Sequence, residues 1–230
     1  MKNKYSAIIP AAGTGSRMLS NTPKQYMMIN GVTMIEHTIR VFLDASIIDQ
    51  VVVVLHPEDT VFETLSISTH SKLHVVIGGE ERADSVLAGV EFAHAELGSE
   101  WVLVHDAARP GLTHTALARL IEASADASGC ILATLSVDTV KQSSQDTIDK
   151  TLDRSRIWMA QTPQMFPTNI LLHALSDARS NKLAITDEAS AVEMQGISIK
   201  LVEGEKSNFK VTTPDDLVLA QYYLTNGTAL

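Results

Sequence analysis

The sequence predicts an α/β fold, a mostly parallel β-sheet with helices on both faces. Two observations carry this reading. Short, nearly continuous apolar runs recur from residue 6 to residue 135, and such runs suit strands buried on both sides. Between them lie segments whose apolar residues recur at helical spacing. Strand alternating with helix builds a parallel sheet with right-handed crossovers.

The first strand is read at residues 6–10, Ser-Ala-Ile-Ile-Pro. Met34, Ile35, Thr38, Ile39 and Phe42 then share one helical face. Strands follow at 51–55, four valines and a leucine, and at 73–77. Val86, Leu87, Val90 and Phe92, with Ala93 close by, make a second helix. A strand at 101–105, a helix carrying Leu117, Leu120 and Ile121, and a strand at 131–135 complete a Rossmann-like series. Each strand is expected to be covered on both faces. Residues 138–153 break the pattern, with few apolar side chains and a polar Ser-Ser-Gln-Asp centre. They form either an exposed loop or two short strands, 138–142 and 147–152, around a turn. A lone hairpin is marginal in water, so a second subunit is the obvious surface for it to pack on. Thr213 followed by Pro214 reads as the N-cap and N1 proline of a final helix, and residues 225–230 read as a tail.

A chain of 230 residues is near the upper end of what one core serves, so 1–230 is expected to be a single domain with an arm at 138–156. Acidic residues number 27 and basic residues 18, for a net charge of -9. That balance excludes a nonspecific nucleic-acid coat and a binder of anionic membrane, both of which need basic excess. It leaves room for a local basic pocket. Cys130 is the lone cysteine, which rules out an intrachain disulfide and a Cys-based zinc site. Its apolar setting reads as a buried, inert thiol. The N-terminus has no signal-peptide pattern and no apolar stretch approaches the roughly 18 residues that span a bilayer. A cytoplasmic location is expected.

Ligands in such sheets bind beyond the carboxyl ends of the strands. After the first strand comes Pro10-Ala11-Ala12-Gly13-Thr14-Gly15-Ser16-Arg17-Met18, where small residues let backbone N–H groups approach phosphate oxygens. It is not a P-loop, which needs Gly-x4-Gly-Lys-Ser/Thr, nor a dinucleotide fingerprint, because Met18 stands where the third glycine belongs. Arg17, and Lys24 in Pro23-Lys24-Gln25-Tyr26, are either solvated charges or a polyphosphate grip. In Gly78-Gly79-Glu80-Glu81-Arg82-Ala83-Asp84-Ser85-Val86, Asp84 and Ser85 are either N-cap residues of the next helix or part of a loop reading a base. In Val104-His105-Asp106-Ala107-Ala108-Arg109-Pro110, Asp106 is of the type that ligates Mg²⁺ beside substrate phosphates and water. The alternative is a salt bridge to Arg109. His105 reads as a structural histidine. Lys210, ahead of the final helix, can reach back over the sheet edge. No Ser-His-Asp order, His-Glu-x-x-His or catalytic carboxylate pair stands out.

These segments occur in a fixed order with Gln161-Thr-Pro-Gln, Thr186-Asp-Glu-Ala-Ser-Ala and Asn208-x-Lys-Val-Thr. Together they resemble the 2-C-methyl-D-erythritol 4-phosphate cytidylyltransferase family, from about residue 5 to residue 224. The resemblance implies a reaction of CTP with methylerythritol phosphate, giving CDP-methylerythritol and pyrophosphate with Mg²⁺, in non-mevalonate isoprenoid synthesis. It implies that residues 11–18, among them Ala11, Ala12, Gly13, Thr14 and Gly15, cradle the triphosphate. Arg17 and Lys24 would stabilise the pentacoordinate α-phosphate and the departing pyrophosphate. Gly79, Glu80 and Ser85 would read cytosine, although family members often carry Asp where Glu80 stands. Asp106, Arg109, Thr139, Arg154, Thr162, Thr186 and Lys210 would surround methylerythritol phosphate, with Asp106 also meeting the metal. Thr139 and Arg154 bracket the arm, which in the family crosses to the other subunit of a homodimer. The rivals are a ribitol-5-phosphate cytidylyltransferase and a catalytically inactive nucleotide-binding regulator. Pro10-Ala-Ala-Gly and Thr186-Asp-Glu-Ala-Ser favour methylerythritol phosphate over ribitol phosphate. The cations Arg17, Lys24 and Lys210 argue against a pure binder.

Overall fold

A computed structural model of the protein describes residues 3–13 and 23–227. In chain order the elements are β1 (Tyr5–Pro10), β2 (Met28–Ile29), β3 (Val32–Thr33), α1 (Met34–Asp44), β4 (Gln50–Leu55), β5 (Leu73–Ile77), α2 (Arg82–Ala95), β6 (Trp101–Val104) and α3 (His114–Ala123). They continue with β7 (Cys130–Leu135), β8 (Lys141–Ser144), β9 (Thr147–Thr151), β10 (Trp158–Pro167), α4 (Thr168–Ser180), α5 (Glu188–Glu193), β11 (Lys200–Glu203) and α6 (Pro214–Asn226). Seven strands form one sheet in the order β11-β7-β10-β6-β1-β4-β5. Every pairing is parallel except those of β10, which runs antiparallel to both β6 and β7.

The continuous apolar strands are explained by two cores, one on each face. Ala7, Ile9, Val51 and Val53 face α1 and α3, packing with Ile35, Phe42, Leu117 and Leu120. Ile8, Val52 and Val54 face the other way, into Val86 and Val90 of α2 and Leu171 and Leu175 of α4. Phe92 sits at the rim of that second core, with its ring 5.5 Å from that of His74. Gly89 lets α2 lie close on the sheet: a Cβ there would meet Ile8 Cγ2 at 2.6 Å and Val54 Cγ2 at 2.9 Å. Cys130 is fully buried, and burial pushes its thiol up to about 12, so it stays protonated and inert.

One expectation is corrected. The strand at 73–77 is not covered on both faces: it is the sheet edge, with Val75 47% and Ile77 55% exposed. Of the two alternatives for residues 138–153, the structure has the hairpin: β8 and β9 pair as a separate antiparallel unit with every residue of both strands exposed, the first strand lying at Lys141–Ser144 rather than 138–142.

The topology positions the site. Chain order runs from β1 outward to β4 and β5, then returns to β6 on the other side of β1. This reversal is a topological switch point, and it opens a crevice beyond the carboxyl ends of β1 and β6.

Candidate active site

A cavity of about 180 Å³ lies at that crevice. Its floor is the exit of β1, Pro10 to Gly13, and the exit of β6, Asp106 to Ala108. Lys24 and Gln25 close one side, Gly79 to Arg82 and Ser85 another, and Lys210 reaches in from the segment before α6. Of the sequence-predicted contacts, Ala11, Ala12, Gly13, Lys24, Gly79, Glu80, Ser85, Asp106 and Lys210 therefore converge. Thr14, Gly15 and Arg17 lie outside the described residues.

Local bonding explains the motifs. Lys24 heads a short 3-10 turn, Lys24–Tyr26. Gln25 Nε2 donates to the Ala11 carbonyl at 2.9 Å, and the Tyr26 hydroxyl donates to Asp59 at 2.6 Å. The turn carrying Lys24 is thus tied to the β1 exit and to the loop after β4. On the opposite wall, Glu81 rather than Asp84 or Ser85 occupies the N-cap position of α2. Asp84 accepts from the Glu81 N–H at 3.4 Å, and the Ser85 hydroxyl donates to the Glu81 carbonyl at 3.2 Å. The backbone of residues 79–81 is therefore presented to the cavity in a fixed shape.

Asp106 is the electrostatic centre. Its Oδ1 accepts from Arg82 Nε at 3.2 Å and Nη2 at 3.0 Å. Its Oδ2 faces Lys210 Nζ at 3.0 Å and Arg109 Nε at 3.3 Å. Burial alone would raise its pKa, but Arg82, Lys210 and Arg109 outweigh that and hold it well below the usual carboxylate range. The salt bridge to Arg109 expected as an alternative is thus present, as one of three. Arg109 sits behind Asp106, its other contact being the Asn208 carbonyl at 2.8 Å.

This crowding decides the fit of a metal. Both Asp106 oxygens are engaged by cations, and a Mg²⁺ ion bound directly there would have to displace one of them. Among the described residues no group of three His, Cys, Asp or Glu side chains could hold a metal ion. The arrangement does not fit Asp106 as a protein ligand of Mg²⁺.

Behind the carboxylate runs a hydrogen-bonded chain. His105 is fully buried, with Nε2 3.1 Å from the Arg109 carbonyl and Nδ1 2.9 Å from the Thr162 hydroxyl. A carbonyl only accepts, so Nε2 carries the proton and Nδ1 accepts from Thr162. The Thr162 hydroxyl in turn accepts from the Asp106 N–H at 3.1 Å. Burial lowers the His105 pKa to about 4, so the ring is neutral at neutral pH. His105 is the structural histidine expected from the sequence, and Thr162 supports Asp106 from within.

The remaining predicted contacts lie away from the cavity. Thr139 and Arg154 are exposed at the root of the hairpin, where Arg154 donates to the Val137 carbonyl. Thr186 is exposed just before α5, its N–H bonded to Ser190 Oγ at 3.1 Å.

Sequence reasoning assigned no role to Arg82 or Glu188. Arg82 Nη1 meets the buried Glu188 Oε1 at 2.6 Å while its Nε and Nη2 hold Asp106. Gln164 sets Glu188 in place, donating to Asp187 at 2.8 Å and accepting from the Ala189 N–H at 2.8 Å. The signal was in the motifs: an arginine just after a strand exit and an acid opening a short helix.

A sequence profile of the family 2-C-methyl-D-erythritol 4-phosphate cytidylyltransferase (IspD) matches residues 5–226. The protein of that name from Vibrio parahaemolyticus is 48% identical over 225 residues, spanning 97% of this chain and 96% of that one. The crystal structure of the Francisella tularensis protein of the same name is 37% identical, with a TM-score of 0.80 over 96% of this chain and 99% of that one. The 4-diphosphocytidyl-2C-methyl-D-erythritol synthase structure from Anaerococcus prevotii is 28% identical, with a TM-score of 0.85 over 98% and 100%.

Proposed function

Because the chain belongs to the 2-C-methyl-D-erythritol 4-phosphate cytidylyltransferase family, we propose that its cavity joins CTP to methylerythritol phosphate within a single nucleotidyltransferase domain. The products are CDP-methylerythritol and pyrophosphate, a step of non-mevalonate isoprenoid synthesis. The observation that supports it best is the convergence of the β1 exit, the 79–85 loop, Asp106 and Lys210 at one switch-point crevice.

The chemistry asks for little covalent help. The nucleophile is a phosphate monoester oxygen, largely anionic at neutral pH because its second pKa is about 6. No general base is needed, and the histidine at the crevice is buried and spent on Thr162 and Arg109. Catalysis then rests on alignment and on charge stabilisation at the α-phosphorus. In this reading the backbone N–H groups of Ala12 and Gly13 face the triphosphate, that of Ala11 being held by the Val54 carbonyl at 2.8 Å. Lys24, with Arg17, meets the charge that develops there. Gly79, Glu80 and Ser85 read cytosine. Asp106 and Lys210 attend the second substrate, Arg109 braces Asp106 from behind, and the family pattern adds Thr186 and Arg154. Mg²⁺ enters as the companion of the triphosphate, whose oxygens are ligands of the kind it prefers, rather than as an ion held by Asp106.

Thr139 and Arg154 act in a homodimer, reaching the partner's crevice on the β8–β9 arm. This part of the proposal is supported by exposed apolar side chains on the arm and its roots, Leu135, Val137, Ile148, Trp158 and Met159, of which Leu135 and Trp158 are cross-strand neighbours, since exposed apolar surface of this kind marks interaction sites.

The test is pyrophosphate release from CTP with a panel of polyol phosphates. Turnover with methylerythritol phosphate and little with ribitol 5-phosphate is the expected result. Preference for ribitol phosphate, or CTP binding without turnover on any polyol, would overturn it.

A further inference from the structure

Glu188 is a buried acid with no role in the reaction as proposed. We propose that it is a positioning residue for the second-substrate half of the crevice, acting through Arg82 on Asp106. The inference rests on the cytidylyltransferase reading and adds a residue to it.

Arg82 opens α2, Glu188 opens α5, and Asp106 follows β6, so the bridge ties three elements distant in sequence. The guanidinium is a rigid planar fork. Glu188 takes one side of it, at 2.6 Å from Nη1 and 3.3 Å from Nη2. The other side, Nε and Nη2, is thereby aimed at Asp106 Oδ1. With Oδ1 claimed, the carboxylate cannot rotate freely, and Oδ2 stays turned toward Lys210 and Arg109. Without the two acceptor oxygens of Glu188, Arg82 would be free to follow a bound phosphate and Asp106 would lose its fixed plane.

The base-reading backbone of the nucleotide wall, residues 79–81, is held by bonds of its own beside this bridge. Gly78 N–H donates to the Leu55 carbonyl at 2.8 Å, and Asp84 and Ser85 bind Glu81 locally. A defect in the bridge should therefore separate the two substrates.

Glu188→Gln keeps the shape and one acceptor oxygen but replaces the other, which also accepts from the Arg82 fork, with an N–H₂ donor. It should raise KM for methylerythritol phosphate by about tenfold while KM for CTP stays within about twofold. Arg82→Lys, which leaves α5 intact but has no fork, should give the same split, and it carries the test if the Glu188 variant does not fold. The double variant should be no worse than the poorer single one, as for residues acting as a unit. The Arg82 Nε–H nuclear magnetic resonance signal, identified by its loss in Arg82→Lys, should shift in Glu188→Gln. Equal changes in both KM values, no change in either, or losses that multiply in the double variant would overturn the positioning role. So would an unchanged Arg82 signal, whatever the activity. A wild-type enzyme inactive on both substrates, with the signal shifted as expected, would instead refute the reaction.

Discussion

Asp106→Asn is the most demanding single perturbation of this site. The substitution keeps the shape and removes the charge that three cations share. Arg82, 35% exposed, keeps Glu188, and Lys210, 40% exposed, can turn to water. Arg109, only 12% exposed, is left as a buried cation facing an amide and one carbonyl. Removing one partner of a buried ion pair costs about 3–5 kcal/mol, and with a single cation stranded the lower end, about 3 kcal/mol, applies. For a chain of this length that is a fall of roughly 6–12 °C in Tm. Thermal melts followed by circular dichroism measure it. The pH dependence adds a sign. Burial opposes the charged form of Asp106, yet the three cations depress its folded pKa. Its contribution is therefore complete above the unfolded carboxylate pKa, about 4, and is lost as pH falls toward the lower folded value. The gap between wild type and variant should be full at pH 7 and shrink below about pH 4. A variant that melts with the wild type at pH 7, or a gap that widens on acidification, would refute the reasoning.

Lys24→Ala should lower turnover by about 10²-fold in the pyrophosphate assay, as when a preorganised donor is lost; near-normal turnover would remove Lys24 from the catalytic set, and Arg17→Ala is expected to behave alike. Deleting residues 140–152 should give monomers by analytical ultracentrifugation, and a deletion protein that still sediments as a dimer would exclude the hairpin as the dimer arm. Gly89→Ala should cost about 1–3 kcal/mol through overpacking against Ile8 and Val54, read as a lower Tm; an unchanged Tm would mean that α2 can shift off the sheet at no cost.

The parallel half of the fold was legible because its strands carry the same apolar signature on both faces, as in Val51 to Val54. What burial alone could not reveal was position in the sheet: β5 has a central strand's composition and an edge strand's exposure. β10 is not legible as a strand in the sequence. Gln161, Thr162 and Gln164 are buried there, but they are polar, and their partners Glu205, His105, Asp187 and Ala189 are remote in sequence. The site was legible where chemistry follows a strand exit, at residues 10–13, 79–85 and 106. It was not legible where it depends on charges meeting across the fold, because nothing local links Arg82 to Glu188, 106 residues away. The N-cap of α2 was missed for a different reason, since glutamate is not among the residues that favour that position.

The chain from Thr162 through His105 to Arg109 bears on how the enzyme responds to acid. Between pH 7 and pH 5 an ordinary imidazole takes up a proton. This one stays neutral down to about pH 4, so its Nδ1 goes on accepting from Thr162, whose hydroxyl holds the Asp106 N–H. An acid limb of activity near pH 6 would then belong to the incoming phosphate monoester, which regains its second proton there. Such a limb should follow the ionisation of the substrate, shifting when a monoester of different acidity is supplied, while the hydrogen bonds of His105 stay as they are.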